Sequence, residues 1–231
     1  MPLQYFDEIN STNEYIRNNI YEFKENFSGI FTFNQLRGKG QRDSEWICEP
    51  EKNIALTFCL SDPFISIINL SFWVGLISCD FLEKESGLSA SIKWPNDIII
   101  RKKKISGILI EKTQDTFIIG IGINIMQSTF DSLSSATSLN LLTNKNYNLV
   151  NLTEKLYLHF QEHYSLLFEN KCLLEKYNLK LFGRNKVMTF SLNQKQHNGI
   201  IEKVTEDGLL CVNIENMGTK LFRNKEIKFL Y

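Results

Sequence analysis

The chain has no excess of charge of either sign. Among its 231 residues, 26 are Lys or Arg and 26 are Asp or Glu, so no overall field draws it to nucleic acid or to an anionic membrane. Its five cysteines (Cys48, Cys59, Cys79, Cys172, Cys211) form no C-x-x-C pair and no zinc spacing. Three lie in apolar stretches, where a thiol behaves as a small hydrophobe, and this usage fits a reducing cytoplasm. Residues Met1 to Asn10 are acidic and lack the basic-then-apolar pattern of a secretion signal. The most apolar stretch, Phe64 to Leu82, is broken by Asn69, Ser71, Ser78 and Asp80, which predicts a buried helix rather than a membrane span.

Several catalytic signatures are also missing. There is no G-x-x-x-x-G-K-[ST] phosphate loop and no G-x-S-x-G elbow. Gly120-Ile121-Gly122 opens like a dinucleotide fingerprint, but position 125 is Ile. His159 and His163 are four apart, yet Phe160 stands where a metalloprotease needs Glu, and a solvated helix face is expected there. No protein-built metal site is expected.

The patterning that is present predicts an α+β chain. Ser11 and Glu14 read as a capping box for a helix to about Ile20. Gly29 to Asn34 and Asn53 to Leu60 read as strands, and the charged segment Leu36 to Glu45 reads as a surface loop. A long helix is expected from Asp62-Pro63 through Leu82. Three strand-like runs follow: Ser91 to Trp94, Asp97 to Ile110 with a basic turn at Arg101 to Lys104, and Thr116 to Met126. Together they predict a mostly antiparallel sheet backed by helices. Two helices are expected over Asn151 to Phe182. From Asn185 short apolar runs alternate with turns at Asn198-Gly199, Asp207-Gly208 and Met217-Gly218, predicting a small five- or six-strand barrel. The expected division is therefore 1–184 and 185–231.

Three segments are candidates for chemistry, each with a structural reading beside it: a solvated charged hairpin loop, a plain hairpin turn and a strand packed closely under a helix, in that order. In QLRGKGQRDSEW, Gln35 to Trp46, two glycines flank Lys39 and precede Arg42, joining backbone N–H groups to cations as a polyanion requires. In KWPND, Lys93 to Asp97, followed by Lys104 and by Gly107 to Glu111, two lysines can face one site from neighbouring strands. In GIGIN, Gly120 to Asn124, alternate glycines leave one strand face bare for a flat ligand.

Ser11-Thr12-Asn13, then GKGQR and Trp46, then KWPND with K-x-x-G-I-L-x-E, then GIGIN, occur in an order that resembles the catalytic domain of biotin protein ligases, over about Ile9 to Asn124. The resemblance implies a class II aminoacyl-tRNA synthetase-like mixed sheet followed by an SH3-like barrel. It implies formation of biotinyl-5′-adenylate from biotin and MgATP, then transfer to a lysine of a biotin carboxyl carrier domain. Ser11, Thr12, Asn13 and Gln35 would hold the ureido ring, with Lys39, Gly40 and Gln41 beside the biotin and Gly107 and Gly122 beneath it. Lys104 would contact the biotin carboxylate, Lys93 would be a second cation near the phosphates, and Asp97 would orient or deprotonate the incoming amine. Gly38, Lys39, Gln41, Arg42, Lys93, Asn96 and Asn124 would serve the nucleotide, with Trp46 stacked on adenine.

The chain departs from the family loop at Lys39, usually Arg, at Arg37, usually small, and at Asp43, usually Gly. Lys39 keeps the charge and loses the planar fork, and Asp43 places a negative charge beside the phosphates. The resemblance begins without the family's winged helix, so no DNA contact is expected, nor a membrane contact. A monomer and a homodimer are both compatible with the family. A lipoate or octanoate transferase of the same fold and a non-catalytic biotin-binding regulator are the rival readings.

Overall fold

The computed structural model describes residues 3–41, 44–130 and 135–230. A short strand, Gln4–Tyr5 (β1), leads to helix α1, Thr12–Asn18. Ser11 caps this helix from an extended backbone, its hydroxyl accepting from Glu14 N at 3.4 Å. The helix ends before Ile20, and Ile20–Glu22 tighten into a 3₁₀ turn.

Strands β2 (Gly29–Thr32), β3 (Gly38–Lys39), β4 (Glu45–Trp46) and β5 (Asn53–Leu60) follow. The segment read as a plain loop contains a ribbon, since β3 pairs antiparallel with β4 and sets Gly38 opposite Trp46. Backbone pairing needs no apolar period, so nothing in the composition announces it. Helix α2, Ile67–Ser86, starts later than Asp62-Pro63 predicts. Asp62 instead accepts from Phe64 N at 2.8 Å in an Asx turn, and Ser66 provides the cap. Gly87, at φ 70°, closes the helix in the left-handed conformation.

Strands β6 (Ala90–Lys93), β7 (Asp97–Ile100), β8 (Lys103–Thr113) and β9 (Thr116–Asn124) complete a seven-stranded sheet in the order β1-β2-β5-β9-β8-β7-β6. Only the β1–β2 pairing is parallel. All eight residues of β5 are buried. Ile54, Leu56, Phe58 and Leu60 face the main core, while Cys59 joins a smaller cluster with Ile16 and Ile20 of the α1 region. A strand covered on both faces reads as an unbroken apolar run rather than as an alternating one.

Helices α3 (Leu139–Thr143), α4 (Leu149–Glu162) and α5 (Asn170–Leu179) follow, with a 3₁₀ turn at Tyr164–Phe168 between the last two. Trp73 of α2 and Leu156 and Phe160 of α4 belong to the main core, on one face of the sheet. His159 does not lie on a solvated face: it is 7% exposed and sits 3.0 Å from Asp80 of α2. Phe81 also borders its ring, and burial, with Lys84 and His163 nearby, holds the imidazole below its ordinary 6.5.

Strands β10 (Val187–Leu192), β11 (Lys195–Val204), β12 (Leu210–Ile214), β13 (Gly218–Phe222) and β14 (Lys228–Leu230) form a five-stranded antiparallel sheet ordered β13-β12-β11-β10-β14. Asn198-Gly199 is not a turn but lies within β11, paired with Thr189 and Met188. The reversal falls at Asn193-Gln194, with φ of 49° and 65°. The Trp94 indole donates to Gly208 O at 3.0 Å and ties this unit to the larger sheet. No helix among the described residues is long and apolar enough to cross a membrane.

Candidate active site

The site is laid out by strand register. Ala55, Gly122, Gly107, Asp97 and Lys93 are successive cross-strand partners on β5, β9, β8, β7 and β6. The row runs from a bare glycine floor to a charged edge. At that edge Asp97 lies between two cations, with Lys104 Nζ at 2.7 Å and Lys93 Nζ at 3.8 Å. Lys93 closes the β6–β7 turn opposite Asp97, and a bulge between Ile98 and Ile99 carries Lys104 of β8 to the same carboxylate. Asn96, in the turn, anchors it by donating to Ile108 O at 2.9 Å.

The N-terminus of α1 supplies the polar wall. Gln35 Oε1 accepts from Thr12 N at 2.9 Å and from the Thr12 hydroxyl at 3.0 Å. The Thr57 hydroxyl lies 2.8 Å from both Thr12 Oγ1 and Asn13 Oδ1. Asn13 Nδ2 donates to Glu111 at 2.9 Å, and Arg17 donates to the other oxygen of the same carboxylate at 2.8 Å. Every polar end of Asn13 is thus engaged within the protein, and the polar wall is preorganised.

The β3–β4 ribbon roofs this space. Trp46 lies over the floor, so close that a Cβ on Gly122 would fall 2.4 Å from Cε2 and one on Gly107 3.1 Å from Cζ3. Lys104 Nζ is 5.6 Å from its ring centre. The Trp46 indole N–H is buried without a hydrogen-bond partner, at a cost of about 1–3 kcal/mol. Lys39 is drawn to Glu14 at 3.2 Å. Gln41 accepts from Asn224 Nδ2 at 3.0 Å, so the C-terminal unit grips the roof.

One cavity of about 600 Å³ collects most of the expected residues, a size suited to a small ligand. Ser11, Thr12, Asn13, Gln35, Lys39, Gly40 and Gln41 line it together with Trp46, Lys93, Asn96, Asp97, Lys104, Gly107 and Gly122. Gly38 lies instead on a neighbouring groove behind the ribbon. Asn124 departs from its expected place: it is 4% exposed, donates to Thr137 O at 3.0 Å, and does not line the cavity. It shares the face of Gly122, two residues back on β9, but stands one step further along the strand, opposite Asn53, where its amide is taken up by Thr137 O. Arg42 and Asp43 lie outside the described residues.

Sequence reasoning missed Thr57, Arg17 and the rim residues Asn224, Lys225 and Lys228. A single hydroxyl inside NIALTFCL was a signal for Thr57, because a polar group in a fully buried strand needs a partner. Glu111 stood in the K-x-x-G-I-L-x-E pattern without an assigned task. Nothing in the sequence placed Asn224 near Gln41.

Residues 5–126 match the model of the Biotin/lipoate A/B protein ligase family. The chain belongs to this family. It is 32% identical over 124 residues to the bifunctional ligase/repressor BirA of Escherichia coli, covering 51% of this chain and 38% of that protein. It is 34% identical over 100 residues to the biotin–[acetyl-CoA-carboxylase] ligase of Paracoccus denitrificans, covering 39% of this chain and 41% of that one. The matches thus span about two fifths of these relatives' lengths. The fold as a whole is that of the biotin protein ligase from Aquifex aeolicus solved with biotin and ATP. Their TM-score is 0.83 at 24% identity, with 99% and 98% of the two chains covered.

Proposed function

We propose that this family member is an ATP-dependent biotin protein ligase, a reading carried by the Lys104–Asp97–Lys93 cluster at the end of the glycine floor. Biotin enters over Gly107 and Gly122, with its ureido group against Thr12 and Gln35. Its entry displaces the Trp46 indole, whose N–H has no hydrogen-bond partner to give up. The ring is then available to stack on adenine.

A carboxylate and an α-phosphate repel each other unless cations stand between them. Lys104 and Lys93 supply those cations at one edge of the cavity. A biotin carboxylate oxygen attacks the α-phosphorus, the α–β P–O bond breaks, and pyrophosphate leaves with the Mg²⁺ that came in with ATP. Asp97, already paired to both lysines, offers no free carboxylate cage for that ion, so the phosphates hold it. In the second step a carrier-domain lysine amine attacks the acyl carbon, the acyl C–O bond to the phosphate breaks, AMP departs, and Asp97 orients the amine and takes up its proton. The β3–β4 ribbon keeps water from the activated acyl group, held by Glu14 and Asn224. The acceptor is the biotin carboxyl carrier domain of a carboxylase, in keeping with the name of the Paracoccus relative. The free cysteines support a cytoplasmic setting.

The test is pyrophosphate release from biotin and MgATP, with lipoate and acid-free controls. Biotin-dependent release is expected. Release with lipoate alone would assign the chain to the lipoate branch. A folded protein that binds biotin and releases nothing would be a regulator.

A further inference from the structure

Behind the catalytic sheet, α2 and α4 bring together a cluster that the proposed reaction does not use. Asp80, His159 and His163 each offer one ligand atom, and all three atoms lie within 4.8 Å of one another. Among the described residues this is the only such group of His, Cys, Asp and Glu. None of the three lines the active-site cavity. We propose that Asp80, His159 and His163 form a binding site for one divalent transition-metal ion of the zinc type.

Four observations support a site rather than a chance meeting. His159 in α4 and His163 at its C-cap are four residues apart, so their rings lie side by side at the end of the helix with centres 4.3 Å apart. His163 Nδ1 is 2.9 Å from His159 O. A carbonyl only accepts, so Nδ1 carries the proton and Nε2 keeps its lone pair. Orienting an imidazole through its second nitrogen in this way is how proteins present a ligating histidine.

The scaffold is also rigid. The Trp73 indole of α2 donates to His163 O at 2.8 Å, and the rings of Trp73 and Phe160 meet at 5.2 Å, fixing α4 on α2. Finally, the carboxylate is already occupied by a cation. Lys84 Nζ lies 3.1 Å from Asp80 Oδ2, on a side chain 58% exposed. It neutralises Asp80 in the metal-free protein and has solvent to swing into when an ion arrives.

Two imidazoles and one carboxylate suit Zn²⁺, Co²⁺ or Ni²⁺ over Mg²⁺ or Ca²⁺, which prefer all-oxygen sets. Three protein ligands leave at least one position for water. Because the ligands come from two helices, the ion would pin α2 to α4, and its effect belongs to stability rather than to the reaction.

The experiment uses the chelator-stripped protein titrated with Zn²⁺ by calorimetry and with Co²⁺ by visible absorption. The wild type is expected to take up one equivalent, to show the d–d bands of a nitrogen–oxygen site, and to melt at a higher temperature with Zn²⁺. His163→Ala and Asp80→Asn, at half-buried positions, should each weaken uptake more than about tenfold. Lys84→Ala should strengthen it, because the competing cation is gone. Wild-type protein that binds no Zn²⁺ would overturn the site. So would His163→Ala and Asp80→Asn proteins that bind as the wild type does, since the ion would then sit elsewhere.

Discussion

The indole of Trp46 rests on Gly122, leaving no room for a methyl group: a Cβ there would stand 2.4 Å from Cε2. The floor that biotin is proposed to occupy therefore lies directly beneath the β3–β4 ribbon. On the proposed function, biotin and the indole cannot share that floor, so biotin binding there requires the indole to move.

Gly122→Ala follows directly. The added methyl raises the floor beneath both the indole and the ligand, and biotin affinity should fall on the order of tenfold, the usual scale for one misplaced methyl in a tight pocket. Calorimetric titration with biotin alone measures this. An affinity equal to that of the wild type would place biotin elsewhere.

Asp97→Asn keeps the size of the side chain and removes the charge between Lys104 and Lys93. With no carboxylate to receive or orient the amine, transfer from preformed biotinyl-adenylate to a carrier domain should slow by roughly 10²-fold or more. Pyrophosphate release should be affected less, because both cations remain. Single-turnover transfer at normal speed would remove Asp97 from the second step.

Glu111→Ala removes the 2.9 Å acceptor of Asn13 Nδ2, which keeps Leu109 O at 3.4 Å, and the 2.8 Å acceptor of Arg17. Asn13 would be held less firmly, through Thr57 and Leu109 O alone, and KM for biotin should rise about tenfold while kcat at saturating biotin stays near the wild-type value, a shift of about 1–2 kcal/mol. A fall in kcat with KM unchanged would show that Glu111 acts on the chemistry instead. Gln at this position keeps one acceptor for Asn13 and should restore part of the affinity.

Burial pushes the thiols of Cys59 and Cys79 up to about 12. Only the thiolate reacts readily, so at pH 8 both should resist alkylation in the native protein and react once it is unfolded. Peptide mapping after iodoacetamide treatment reads this directly. Native-state labelling of either residue at the rate of the half-buried Cys172 would mean that the core opens far more often than its packing implies.

The strands and the cavity residues were legible to different degrees, and for physical reasons. NIALTFCL announces a buried strand because every residue in it is buried, and β5 spans that run. The ordered motifs gathered the cavity residues well, since Thr12, Gln35, Lys93, Asp97 and Lys104 all meet there. Asn124 lies off the cavity because its amide donates to Thr137 O, and a motif that specifies neighbours in sequence does not show a partner 13 residues further on. The late start of α2 escaped because Asp62-Pro63 and Ser66 are both plausible openings, and only the Asx turn at Asp62 separates them. His159 was misread because a helix face shows its covering only once α2 is packed against it.

The Asn224–Gln41 hydrogen bond joins positions 183 apart in the chain, and this gives the site a timetable. At about 5–20 residues per second of synthesis, roughly 9–37 s separate the appearance of Gln41 from that of Asn224. During that interval the large sheet can already assemble on the ribosome, while the roof over it lacks its distal tether. On the proposed function, a nascent chain would thus have a place for biotin before it could seal a reactive adenylate away from water, and competence for the full reaction would arrive only with the C-terminal strands.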